Sequence, residues 1–183
     1  MVEKNIVNVI FDAMSSWNPD EQDIWIKSSI ALGHTMLWNT PESKYEHLPL
    51  QKDSYILTMD ARIDNRAELI EQLILPDRPL EEIGDSEFIL ASYQKWGEEC
   101  PKYLLGDFAF VIWDSQKQKI FCAKDRFGKR ELYYTHKNDH LIICNTLNTM
   151  LRHPDISKKL DDHAVAGFLL FGDHRWLDKS LTI

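Results

Sequence analysis

The sequence has little cysteine, no surplus of positive charge and no long apolar run, and each shortage excludes a class of protein. Cys100, Cys122 and Cys144 are odd in number and widely spaced, with no pair at C-x-x-C spacing. Neither a disulfide framework nor a cysteine zinc site is indicated, and the three read as reduced thiols serving as small buried hydrophobes. The seven histidines form no H-E-x-x-H motif, and His136 and His140, which share its spacing, flank a turn rather than lie on a helix, so no metal and no other cofactor is expected. A formal net charge of -8 argues against a nucleic-acid partner, which would require clustered Lys and Arg. No apolar stretch approaches the roughly 20 residues of a membrane helix. The opening MVEKNIVNVIF has neither the basic start nor the small-residue cleavage site of a secretory leader. A cytoplasmic protein without membrane contact is therefore expected. Neither G-x-G-x-x-G nor G-x-x-x-x-G-K-[ST] occurs, so the chain shows no loop for cradling ATP.

What is present suits one soluble domain with a short appendage: 183 residues, 44% hydrophobic and 27% charged, with six Trp, six Tyr and eight Phe to fill a core. Residues 4–16 put Ile6, Ile10 and Ala13 on one stripe with Val7, Phe11 and Met14 beside it, which is helical spacing. Their β-forming Ile and Val leave a strand over 5–11 as the rival. Strands are expected over 23–27, 29–38 and 54–59, with a turn at 39–43. Asp64 is placed to cap a helix holding Ala67, Leu69 and Ile70. Asp85 or Ser86 is placed to cap a second helix over 87–96 that Gly97 ends. From Gly106 the pattern changes. DFAFVIWD reads as a strand buried on both faces, KIFCAKD as its return, and ELYYTH with LIICNT as a second hairpin. A short helix over 148–152 follows. Asp161 then caps a last helix with Val165, Phe168, Leu169 and Phe171 on its apolar side. Strands, two helices and two hairpins in that order indicate an α+β fold.

Five segments, GHTMLWNTPES (33–43), MDARIDNRAEL (59–69), GDSEFILASYQKWGEEC (84–100), LLGDFAFVIWD (104–114) and FCAKDRFGKRELYY (121–134), carry a family resemblance. Together and in this order they resemble the class II glutamine amidotransferase domain of asparagine-synthetase-like proteins. The first two are similar to a divergent branch that includes lasso-peptide cyclases. The resemblance implies an N-terminal-nucleophile-hydrolase-like sandwich, two mainly antiparallel β-sheets between helices (αββα), over residues 1–158. Residues 159–183 resemble the first helix of the synthetase domain that follows in that family.

The same resemblance implies where a working site would lie. An active member presents an N-terminal Cys, whose thiolate attacks glutamine while its own amine acts as base; Val2 stands there, and the strand carrying that Cys is missing. Trp17 and Asn18 replace the Arg-Gly of a substrate-side turn. Met36 stands where an Arg would hold the substrate carboxylate, and a thioether offers no guanidinium fork. Asp60 and Ala61 replace the Asn-Gly pair that stabilises the oxyanion, and Arg62 replaces the Glu after it. Asp85 matches the Asp that grips the substrate amine, a position that an N-cap role also explains. Lys124, Asp125, Arg126, Lys129 and Arg130 form a charged cluster that reads equally as a solvated loop or as a docking surface toward the synthetase half.

Three functions follow as expectations. The first is a degenerate, non-hydrolysing amidotransferase-like domain that supports an asparagine-synthetase-like synthetase or cyclase. The second is a glutaminase domain that has lost its first strand, and the third is a stand-alone module binding a ligand or peptide in the remnant cleft. Omission of a central strand would leave backbone groups unpaired unless 5–11 or a partner replaced it. That edge, with the apolar last helix, makes a homodimer an expectation as well.

Overall fold

The computed structural model describes residues 4–15, 18–137 and 139–172. Val2, Trp17 and His174 lie outside them. Helix α1 (Lys4–Ser15) settles the choice left open for the N-terminal segment, and a replacement strand over 5–11 is not what forms. Its inward side is Ile6, Val7, Ile10, Phe11, Ala13 and Met14, while Asn8, Val9 and Asp12 face solvent. The helical period of the apolar residues therefore outweighs the β-preference of its Ile and Val.

A hairpin of β1 (Glu21–Lys27) and β2 (Ile30–Met36) comes next, turning at Ser28 with φ 54. A four-stranded antiparallel sheet follows in the order β3-β4-β5-β6: β3 (Leu50–Lys52), β4 (Tyr55–Ile63), β5 (Gly106–Asp114) and β6 (Lys119–Lys124). The sequence pattern misses β3 and ends β4 at residue 59. Asp60, Ala61 and Arg62 are poor strand formers by themselves, and pairing with Ala109, Phe108 and Asp107 of β5 carries the strand onward to Ile63. Between β4 and β5 run α2 (Arg66–Ile70) and α3 (Asp85–Trp96). The chain closes with the hairpin β7 (Tyr133–Lys137) and β8 (His140–Cys144), the short α4 (Leu147–Met150), and α5 (Asp162–Phe171).

The layers follow from β5. As the central strand it is apolar on both faces. Phe108, Phe110 and Ile112 join Phe88, Ile89 and Leu90 of α3 in the larger core, while Trp113 joins Ile56 and Leu32 of β2 on the opposite side. Each such side chain contributes about 1.5–3 kcal/mol on burial. The β1–β2 hairpin thus covers one face of the sheet and α3 the other. Phe11 of α1 lies over Gly33 of β2 so closely that a Cβ there would meet the ring at 3.1 Å. Helix, sheet, hairpin layer and helix make the expected α+β sandwich. The β1–β2 and β7–β8 hairpins are separate two-stranded sheets that do not pair with each other.

Three caps bear on the site. Asp161 caps α5 as expected, accepting from the backbone N–H of His163 at 2.8 Å and Ala164 at 3.2 Å. Asp64 does not cap α2. Asn65 holds that position, and its side chain instead ties the strand end to Tyr103 O and Leu105 N. Neither Asp85 nor Ser86 is the N-cap of α3, because Gly84 takes that place and leaves the Asp85 carboxyl free for another use.

Candidate functional site

A cleft of about 620 Å³ opens between β2, β4 and the segments that flank the β7–β8 hairpin. Met14 and the β2 residues His34, Thr35 and Met36 form one wall, with Glu46 and Leu48 from the following loop. Met59, Asp60, Ala61 and Arg62 of β4 and Asp85 of α3 supply the floor. Lys129, Arg130 and Glu131, before β7, close the far side with Asn145, Thr146 and Thr149. Met36, Asp60, Ala61 and Asp85, far apart in sequence, line one space. None of the three cysteines is among the described residues that line it. Only Cys100 is buried as expected, Cys144 being half-buried and Cys122 exposed, and partial desolvation still raises the thiols to about 12 at Cys100 and about 11 at Cys122 and Cys144. All three are therefore protonated and poor nucleophiles at neutral pH.

Met36 is buried at 8% exposed and brings a thioether, with no charge, to that wall. Asp60 Oδ1 sits 3.2 Å from Arg130 Nη1, an ion pair that crosses the cleft from β4 to the segment before β7. Arg62 turns to the rim, with Nε donating to Asp64 Oδ1 at 2.8 Å and Nη2 lying 3.6 Å from Asp107. Lys129 reaches the same Asp107 at 3.7 Å. The charged cluster that follows β6 is thereby split. Lys129, itself exposed, and half-buried Arg130 are paired with acids, whereas Lys124 and Arg126 are exposed with no ion pair among the described residues.

Where floor and wall meet is an acid pair that sequence spacing does not reveal. Asp85 Oδ2 accepts from Ile63 N at 3.1 Å, while Oδ1 has no hydrogen-bond donor among the described residues, and Arg66 Nε stands 3.7 Å away. Burial raises its carboxyl to about 6 despite the Ile63 N–H and Arg66. Glu46 accepts from Ser86 N at 2.7 Å, at the start of α3. Burial lifts it to about 7, partly opposed by the Ser86 hydrogen bonds and assisted by Asp85. Gly84 is required here, since a Cβ on it would fall 2.1 Å from Glu46 Cγ. Arg66 completes the network through Glu42 Oε1 at 3.0 Å, the Ile83 carbonyl and the face of Phe88. On the β2 wall, burial drops His34 to about 4, so it is neutral at pH 7, with Nδ1 3.3 Å from Thr58 Oγ1. No three described His, Cys, Asp or Glu side chains stand close enough together to hold a metal ion.

Chemically, the cleft offers a wall in which Met36 and Leu48 mix with polar side chains, cations paired with acids, and two buried acids whose pKa values are raised. It holds no thiolate, and its central polar pair is a carboxylate with a guanidinium. The sequence model of a family described as a glutamine amidotransferase domain matches residues 1–180. The chain is 27% identical over 177 residues to glutamine-hydrolysing asparagine synthetase 3 of Bacillus subtilis, covering 94% of this chain and 29% of that protein. It is 30% identical over 131 residues to glutamine-hydrolysing asparagine synthetase 1 of the same organism, covering 71% of this chain and 20% of that protein. The chain thus spans less than a third of the length of these curated relatives. No described helix is long and apolar enough to cross a membrane.

Proposed function

The chain belongs to the class II glutamine amidotransferase domains of asparagine-synthetase-like proteins, and we propose that it is a member that does not hydrolyse glutamine and instead supports an ATP-dependent, amide-forming synthetase. The observation that carries this reading is the Asp60–Arg130 pair, with Met36 beside it in the same cleft. Glutamine hydrolysis develops negative charge on the amide oxygen, and one lost donor costs about 10²–10³ in rate. A carboxylate at Asp60 opposes that charge, and its partner Arg130 is already engaged. At Met36 a thioether faces the place where a substrate carboxylate would need a cation. The raised thiols of Cys100, Cys122 and Cys144 offer no alternative nucleophile.

In this reading the partner is an asparagine-synthetase-like domain or protein. The similarity of residues 33–43 and 59–69 to cyclases of the lasso-peptide kind suggests a reaction whose nucleophile is an amine already present, with no need for released ammonia. Residues 159–183 would open the synthetase domain. Val165, Leu169 and Leu170 of α5 are exposed, as a helix awaiting neighbours would be. The test is ammonia release from glutamine by the purified chain. The expected rate equals that of buffer. Turnover that persists after replacement of all three cysteines rejects the proposal.

A further inference from the structure

Where the floor of the cleft meets its wall, Glu42, Glu46 and Asp85 share one cation. Arg66 pairs with Glu42 at 3.0 Å and stands 3.7 Å from Asp85 Oδ1. It is also the cation that acts on Glu46, against the negative charge of Asp85. Glu42 and Asp64 add to the negative field at Asp85. Arg62, Lys129 and Arg130 line the same cleft, but their charges are already met by Asp64, Asp107 and Asp60. The Asp85 side chain is 10% exposed, and its Oδ1 has no hydrogen-bond donor among the described residues. A buried carboxylate in that position takes up a proton or finds a counter-ion. Both acids accordingly hold protons more tightly than an ordinary carboxyl.

We infer that the cleft binds a primary alkylammonium ion, its head against Glu46 and Asp85 and its chain beside Met36, Leu48 and Met59. An ammonium brings the missing charge and three N–H donors, one of them for Asp85 Oδ1. The family resemblance implies an amine contact at Asp85 for an amino acid. Glu46 adds a second negative group there, and the uncharged Met36 leaves a carboxylate without its anchor, so the class of ligand changes from amino acid to plain amine. The inference is independent of the proposed partner and of glutamine hydrolysis. An alkylammonium keeps its proton to about pH 10, so it competes with protons for the two carboxylates, and its binding tightens as pH rises. His34 on the β2 wall is neutral above about pH 4 and does not contribute to that change.

The experiment titrates the full chain with n-pentylamine, 1-pentanol and norleucine, which is the same amine carrying one added carboxylate. Binding is followed by NMR at the amides of Ser86 and Ile63, which donate to the two acids. Pentylamine is expected to saturate, at least about tenfold more tightly at pH 8 than at pH 5.5. Norleucine should bind at least about tenfold more weakly than pentylamine, because its carboxylate would lie beside two others. Pentanol should leave both amides unmoved. Glu46→Gln keeps the acceptor for Ser86 N, and is expected to weaken pentylamine at least about tenfold at pH 8 and to make the pH dependence shallower. It leaves in place His47, which turns to Glu21 at 3.1 Å, and so separates the two titrations. Absence of saturable binding, affinity that ignores pH, norleucine or pentanol binding as tightly as the amine, or an unchanged affinity in Glu46→Gln, overturns the inference. Amine binding by a chain that hydrolyses glutamine would sink the functional proposal alone, and an inert chain that ignores pentylamine would sink this one alone.

Discussion

Asp85 on the floor of the cleft and Asp125 beneath the Phe127 loop are 7% and 5% exposed, and their surroundings treat the buried charge in opposite ways. At Asp125, burial pushes the carboxyl up, but the N–H groups of Arg130, Lys129 and Phe127 outweigh it and hold the pKa below the ordinary range. At Asp85 a single N–H, from Ile63, meets one oxygen, and burial wins. Glu46 repeats the Asp85 pattern, with burial outweighing its hydrogen bonds from Ser86. Hydrogen bonding thus separates a carboxylate that builds structure from one whose charge the fold leaves poorly compensated. The first belongs to the loop after β6, the second to the cleft.

Substitution at Asp125 should show the largest effect. Asp125→Ala removes the acceptor of three charge-assisted bonds and is expected to cost about 4 kcal/mol in urea unfolding. A loss below about 1 kcal/mol would mean that the loop holds itself and that the contrast with Asp85 is empty.

The next effect is pH dependence. Glu46 has a folded pKa of about 7 against an ordinary value of 4.5. Between those values the folded chain holds more protons than the unfolded one, so stability falls as pH rises and the full penalty is present above about 7. Glu46→Gln keeps an acceptor for Ser86 N without the charge. It is expected to be more stable than the natural chain by about 2 kcal/mol at pH 8 and no more stable at pH 4. Asp125 works in the opposite sense, contributing stability at neutral pH that is lost as pH falls through its lowered pKa. A natural chain whose stability stays flat between pH 5 and 8 would remove the distinction between the two regions.

The smallest expected effect lies across the cleft. Asp60 and Arg130 are each more than a third exposed at the side chain, so Asp60→Asn is expected to change stability by only about 0.5 kcal/mol. Because Asn restores a donor at that position, the same variant asks whether the pair alone silences the site. Glutamine turnover should remain at the buffer rate, since Met36 and the absence of a thiolate in the cleft are unchanged.

Much of this architecture is legible in the residue pattern. The stripe of Ile6, Ile10 and Ala13 gives α1, the unbroken apolar run from Phe108 to Trp113 gives the central strand, and Asp161 marks the start of α5. The extension of β4 through Asp60 and Ala61 is not legible, because only the ladder to β5 sustains it. Within the site, Met36, Asp60, Ala61 and Asp85 could be grouped from a family resemblance, whereas Glu46, Arg66 and the inward turn of Arg130 left no signal. Asp85 read most simply as a helix cap until Gly84 was seen to hold that position.

Periodicity and turn chemistry act between near neighbours, so the amino-acid order alone determined which segments became helix or strand and which faces became apolar. The meetings of polar groups depended instead on how separate elements docked: Glu46 against Ser86, Asp85 beneath Ile63, Arg130 across from Asp60. Each bond joins residues that no local rule brings together, and its strength depends on the water excluded by packing. Only the tertiary structure could therefore decide which carboxylates would be satisfied and which left strained at the cleft.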